Sequence, residues 1–229
     1  MSTNAHFTPR FFGFLKELKA NNRRDWFVAN KPRYESEVRD PMLNFIAEFA
    51  PRLRAISRHY RADPRPVGGS MFRIYRDTRF SRDKSPYKTN VGAHFRHTTS
   101  KDVHSPGYYL HLSPGEVFVG CGIWHPDSPT AAKIRDAIVA RPQNWTRAIS
   151  SRSFRAKCDL DGDRLQRPPA GYAADHPLIE ELKRKDFIAS TTLTQADACS
   201  ARFLDRFVEI CQAAAPMMCF LTTALELPW

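Results

Sequence analysis

The residues best equipped for chemistry form one run, Arg73-Ile-Tyr-Arg-Asp-Thr-Arg-Phe-Ser-Arg-Asp-Lys-Ser-Pro-Tyr-Lys88. Arginine presents a planar fork that holds phosphate or carboxylate through paired hydrogen bonds, and lysine adds a point charge. Arg73, Arg76, Arg79, Lys84 and Lys88 therefore suit a phosphorylated or otherwise anionic ligand. Asp77 and Asp83 are spaced to hold Arg76, Arg79 or Arg82 rigid and leave the other cations free. Tyr75 and Tyr87 add aromatic surface, and Tyr109, His111, Phe118 and Trp124 follow on later segments. Aromatic faces beside cations are surfaces on which nucleobases stack, so the expected partner is a phosphorylated small molecule or nucleic acid. An enzyme reading uses the same residues: Asp77 or His111 exchanges protons beside Arg73 and Arg76, which stabilise developing negative charge. A third reading makes the loop a docking site for an acidic protein.

The charge distribution supports a single basic surface. The 229 residues carry 35 Lys or Arg against 24 Asp or Glu, a net of +11. Residues 52 to 97 alone hold twelve bases and three acids, a net of +9, which leaves +2 for the rest of the chain. A local excess of this kind points to an anion site, whereas a uniform one would speak only of solubility. The long connection through residues 76 to 88 is poor hairpin chemistry, because a two-residue turn would join its flanking strands more economically.

Other chemistries find weaker anchors. Five of the eight histidines fall between His94 and His125, but none shares a zinc spacing with a cysteine, and no metal is expected. Asp77 and Asp83 as magnesium ligands are outweighed by salt bridges to their cationic neighbours. Asp159-Leu-Asp-Gly-Asp163 lacks the spacing and distal Glu of a calcium loop. No Walker loop, Rossmann fingerprint or Gly-x-Ser-x-Gly elbow occurs, and no cofactor is expected. Five widely spaced cysteines without a C-x-x-C pair fit reduced thiols in a cytoplasm. No uninterrupted apolar run reaches the ~18 residues of a membrane span, and no signal peptide is read at the N-terminus, so no membrane partner is expected. Nothing in the pattern specifies an oligomeric state.

The elements that must position these residues follow from period and punctuation. Thr8-Pro9 opens a helix with Phe11, Phe12, Leu15 and Leu18 at helical spacing, ending at Asn21-Asn22. Asp40-Pro41 opens a second helix burying Met42, Phe45, Ile46, Phe49 and Leu53, with an interruption expected at Pro51. Alternation then predicts strands over Ser70 to Arg76, Tyr87 to Arg96, Gly107 to Leu112 and Glu116 to Trp124. Phe72, Ile74, Val91, Ala93, Phe95, Tyr108, Leu110, Leu112, Val117, Val119, Cys121 and Ile123 form their apolar face. The opposite face mixes cations and aromatics with Gly120 and Gly122, and those glycines make room for a ligand or a close neighbour. Helices are predicted after Ser128-Pro129, around Trp145, over Pro177 to Lys185 and from about Asp197. Asp159 to Tyr172 reads as a loop and Phe187 to Leu193 as one more strand. The sum is a single α+β domain: a helical part over 1–60, an antiparallel meander over 70–124, and a helical part over 128–229 with one further strand.

Phe14-Leu15, Leu18, Asn21-Asn22-Arg23, Trp26-Phe27, Lys31 and Tyr34, followed by the long arginine-rich run, resemble the bacterial and fungal family catalogued as domain of unknown function 2461. Gly107-Tyr-Tyr and Gly120-Cys-Gly-Ile-Trp fit the same pattern. The resemblance spans nearly the whole chain and implies one domain. It implies no activity and brings no catalytic residues with it.

Overall fold

A computed structural model describes residues 5–99 and 105–229. Helix α1 (Pro9–Ala20) buries Phe11, Phe12, Phe14, Leu15 and Leu18. Two short helices, α2 (Arg24–Ala29) and α3 (Lys31–Tyr34), lead through one π turn, Glu35–Arg39, into α4 (Asp40–Ile56). In that turn the Asp40 N–H donates to the Glu35 carbonyl, and Pro41, which has no N–H to give, follows it. Asp40 is thus an internal helical residue rather than a cap. Pro51 does not interrupt α4. Pro51 and Ala47, whose carbonyl loses its donor, are both exposed, while Phe45, Ile46, Phe49 and Leu53 hold the helix on the core.

The sheet comprises β1 (Val91–Arg96), β2 (Gly107–Ser113), β3 (Glu116–Ile123), β4 (Asp159–Asp161) and β5 (Phe187–Leu193). Its order is β1-β2-β3-β5-β4, antiparallel throughout, so the domain is α+β with an open antiparallel sheet. Between β3 and β4 lie α5 (Ser128–Ala140), α6 (Pro142–Ser150) and α7 (Arg152–Lys157); α8 (Ile179–Leu182) precedes β5. After β5 come α9 (Gln195–Ala198) and α10 (Phe203–Ala224). The last helix therefore starts later than Asp197, which instead completes a capping box with Thr194 at the head of α9. Helix α10 meets the length and hydropathy expected of a membrane-crossing helix, yet here it packs on β3, α4, α5, α6 and α7. Phe49, Phe95 and Phe207 join α4, the sheet and α10, with ring centroids 4.7 to 5.8 Å apart.

Two strand predictions and one loop prediction need correction. Ser70 to Arg76 forms no regular strand; it flanks β1 through isolated bridges, Met71 to Ala93 and Tyr75 to Tyr87. The strand beginning at Tyr87 becomes regular only at Val91. Asp159–Asp161, read as loop, is a short edge strand held by β5. Without a continuous ladder the strict two-residue alternation fails: Met71 and Ile74 are buried, while Phe72 turns to the opposite face and is half-buried. Val91, Phe95, Leu110, Leu112, Val119 and Ile123 are buried as the alternation predicts. The predicted helix over Pro177 to Lys185 contracts to the single turn of α8.

Candidate functional site

The helices cover one sheet face and leave the other open. Along the open face His94, Tyr109, Gly120 and Ser190 lie in one cross-strand row, and Arg96, Gly107, Gly122, Ile188 and Asp161 in the next. Three glycines thus occupy the middle of two adjacent rows. Without side chains there, the surrounding ones become the walls of a cleft of about 500 Å³. Phe72, His94 and Tyr109 form one wall, Ile188, Ser190 and Asp161 the other, with Phe118 and Trp124 towards the ends of β3.

The floor glycines have different reasons to be glycine. At Gly122, φ is +129° and the Phe187 carbonyl occupies the place of a Cβ. At Gly107 the His94 ring takes that place. Gly120 opens onto the cleft, and a Cβ there would meet nothing closer than Tyr109 Cβ at 3.7 Å.

His94 is the most perturbed polar group of the walls. Burial, reinforced by Arg96, pushes its imidazole down to about 4, so the ring is neutral near pH 7. Its Nδ1 is buried without a hydrogen-bond partner among the described residues. Burial also raises the Tyr109 phenol to about 12; its hydroxyl lies 3.0 Å from His111 Nδ1. His111 stacks on Phe118 with ring centroids 4.7 Å apart and stands behind the wall rather than in it. Burial lowers its pKa as well.

Opposite, Ser190 Oγ donates to Asp161 Oδ2 at 3.0 Å. Buried Asp186 ties this rim to Trp124. Its Oδ1 accepts from the His125 backbone N–H at 2.7 Å and lies 3.0 Å from His125 Nδ1, and its Oδ2 accepts from the Asp163 N–H at 3.0 Å. His125 holds a left-handed φ of +48° and stacks on Trp124 at 4.1 Å. The sequence gives no place in the ligand site to Asp186, His125, Asp161 or Ser190, although the period of Phe187–Leu193 puts Ile188 and Ser190 on one face.

The basic run forms a ribbon beside β1. The Lys88 N–H donates to the Ile74 carbonyl at 2.8 Å and the Arg76 N–H to the Pro86 carbonyl at 2.9 Å. Its tip is locked internally. Arg79 forks onto Asp77, Arg76 pairs with Asp83, and Lys84 Nζ donates to the Thr78 carbonyl at 3.0 Å. Arg79 lowers the Asp77 carboxyl, and the Ser85 hydroxyl and N–H, with Arg76, hold Asp83 well below the usual range. Asp77, so engaged, shares no contact with His111 among the described residues. Tyr87 is buried against Phe27 at 4.1 Å, and Asn22 holds its backbone at both N–H and C=O. It anchors the ribbon. Tyr75 is 53% exposed.

Lys88 connects ribbon to cleft. Its ammonium donates to the Arg73 carbonyl at 3.0 Å and lies 5.4 Å from the centre of the Phe72 ring, which is 6.0 Å from Tyr109. Burial, then Arg73, lower its pKa. Among the described residues no carboxylate lies within ion-pair distance of Lys88, Arg73 or Arg96. The structure thus separates the sequence-predicted residues into a cleft group (Tyr109 and Trp124, with His111 behind), a junction (Arg73 and Lys88) and a tip whose Arg76, Asp77, Arg79 and Lys84 are bonded within the ribbon.

None of the curated proteins matches this chain. Residues 10–220 match the family described as conserved hypothetical protein (DUF2461). That span contains both ribbon and cleft, and the chain belongs to this family.

Proposed function

We propose that the protein binds a small molecule in which a planar, largely apolar ring carries an anionic group, a mononucleotide being a fitting class. The open, mainly apolar cleft between Phe72, Tyr109 and Trp124 has room for a ring above Gly120. Neutral His94 and the Ser190–Asp161 pair offer donors and acceptors for polar ring edges. The observation that carries the reading is the Lys88–Phe72 contact, which sets a cation with no carboxylate partner among the described residues on the rim of an aromatic pocket. An anion there relieves the repulsion between Lys88 and Arg73.

Calorimetric titration of adenosine monophosphate, adenosine and inorganic phosphate tests this. Adenosine monophosphate binds most tightly, and Lys88→Ala removes its advantage over adenosine while adenosine binding stays. Equal affinity of wild type and Lys88→Ala for the monophosphate, or no binding of either nucleoside ligand, contradicts the proposal.

A further inference from the structure

Phe80 is 96% exposed, beside Arg79 and Arg82. It sits at a corner of the turn Thr78–Ser81, where the Ser81 N–H donates to the Thr78 carbonyl at 3.3 Å. This turn is not loose. Asp77 accepts from the Arg79 backbone N–H and guanidinium, Asp83 takes Arg76 and Ser85, and Lys84 closes onto Thr78. Holding an aromatic ring in water sacrifices both hydrophobic burial and chain entropy, and among the described residues only the Arg79 guanidinium lies near the ring in return.

We infer that the ligand seated in the cleft is one nucleotide of a single-stranded nucleic acid, and that the ribbon carrying Phe80 grips its neighbours; this rests on the reading of the cleft given above. Aromatic and cationic residues are interspersed over the cleft and the ribbon. Trp124, 54% exposed, and Tyr109 stand with Phe72 in the cleft; Lys88 lies on Phe72 and donates to the Arg73 carbonyl; along the ribbon from Arg73 come Tyr75, 53% exposed, and Phe80 with Arg82. Successive bases stack on such rings while cations follow the phosphates, without regard to sequence. The Arg79 guanidinium lies 5.9 Å from the Phe80 ring centre, so a base stacked on this exposed ring has a cation beside it. Duplex fits less well, since a ring over Gly120 and another on Phe80 must both be unstacked. An acidic peptide matches the charge but supplies no rings for these surfaces.

Fluorescence anisotropy with a fluorescein-labelled oligothymidylate of about twelve nucleotides, a length in the range of one such surface, tests this beside adenosine monophosphate calorimetry. Wild type binds the oligonucleotide at least about tenfold more tightly than the monophosphate, and Phe80→Ala reduces oligonucleotide affinity about tenfold while leaving the monophosphate unchanged. Neutralising phosphates with Arg73, Arg82, Lys88 and Arg96 gives a log–log salt slope of about −3. Phe80 touches no core residue, so the variant folds. An oligonucleotide no tighter than the monophosphate, or unaffected by Phe80→Ala, overturns this inference and leaves the cleft reading standing. Absence of binding by both ligands overturns the two together. Equally tight binding of a polyglutamate peptide or a duplex of matched charge also overturns it.

Discussion

The Lys88 ammonium stands 5.4 Å from the centre of the Phe72 ring, so the charged ribbon and the aromatic cleft meet at one point. Phe72 is therefore a wall of the cleft and only half-buried, unlike Phe95 on the covered face. Phe72→Ala is expected to cost about 1 to 2 kcal/mol, against about 3 to 5 for Phe95→Ala. Urea denaturation of the two variants measures the difference; equal losses would return Phe72 to the core.

The glycine floor makes a second prediction. Gly120→Ala adds a methyl group to open space and changes stability by less than about 1 kcal/mol. Gly122→Ala meets the Phe187 carbonyl at a positive φ and costs upwards of about 3 kcal/mol. Thermal unfolding of both variants distinguishes a floor with one ligand-facing glycine from one in which all three are interchangeable.

His94 gives the stability a pH dependence of defined sign. Its imidazole titrates at about 4 in the fold against an ordinary value of 6.5, so between these limits the unfolded chain takes up a proton that the native one refuses. Stability therefore falls as pH drops through that window, by on the order of 3 kcal/mol from this group. His94→Gln removes the contribution, so the stability lost between about pH 7 and about pH 4, measured by urea titration at each pH, should be smaller in the variant by that amount. Parallel losses would show the ring to be solvated.

Asp186 joins the Asp161–Ser190 wall to the Trp124 end of the cleft. Its carboxylate accepts from His125 and Asp163, on segments far apart in the chain. Asp186→Ala is expected to cost on the order of 3 kcal/mol and to weaken ligand binding with it. His125→Ala, which leaves the Asp163 N–H and its own backbone N–H on the carboxylate, should cost less than about 1.5 kcal/mol. Chemical denaturation compares them, and equal costs would locate the effect in the side-chain pair alone.

The covered sheet face was legible because β1, β2 and β3 alternate strictly and are consecutive, so Val91 to Ile123 carry their burial in their spacing. Strand β5 is legible as an element, down to its ends at Phe187 and Leu193, although not in its place in the sheet. Phe72 was misread because alternation holds only where a ladder enforces the pleat, and Ser70 to Arg76 makes isolated bridges. The arginine-rich run was found by composition, yet charge counting does not show which cations neutralise one another. Arg76 and Arg79 turn inward to Asp83 and Asp77, whereas Arg73 and Lys88 do not. The far wall was out of reach: Asp161 and Ser190 meet Tyr109 and Gly120 only through the crossover that places β5 between β3 and β4.

A ligand seated in the glycine-floored cleft lies above Gly120, which permits a test that leaves every charge in place. Gly120→Leu fills the space above the floor from a position with no positive φ and no close neighbour. Calorimetric titration of adenosine monophosphate into wild type and Gly120→Leu, with equal unfolding temperatures as the control, is the direct measurement. Saturable binding by wild type and loss of at least about tenfold in affinity by the variant, roughly 1.4 kcal/mol, is the predicted result. Equal affinity in the two proteins would place the anion site on the ribbon surface alone and rule out the cleft as the ligand seat.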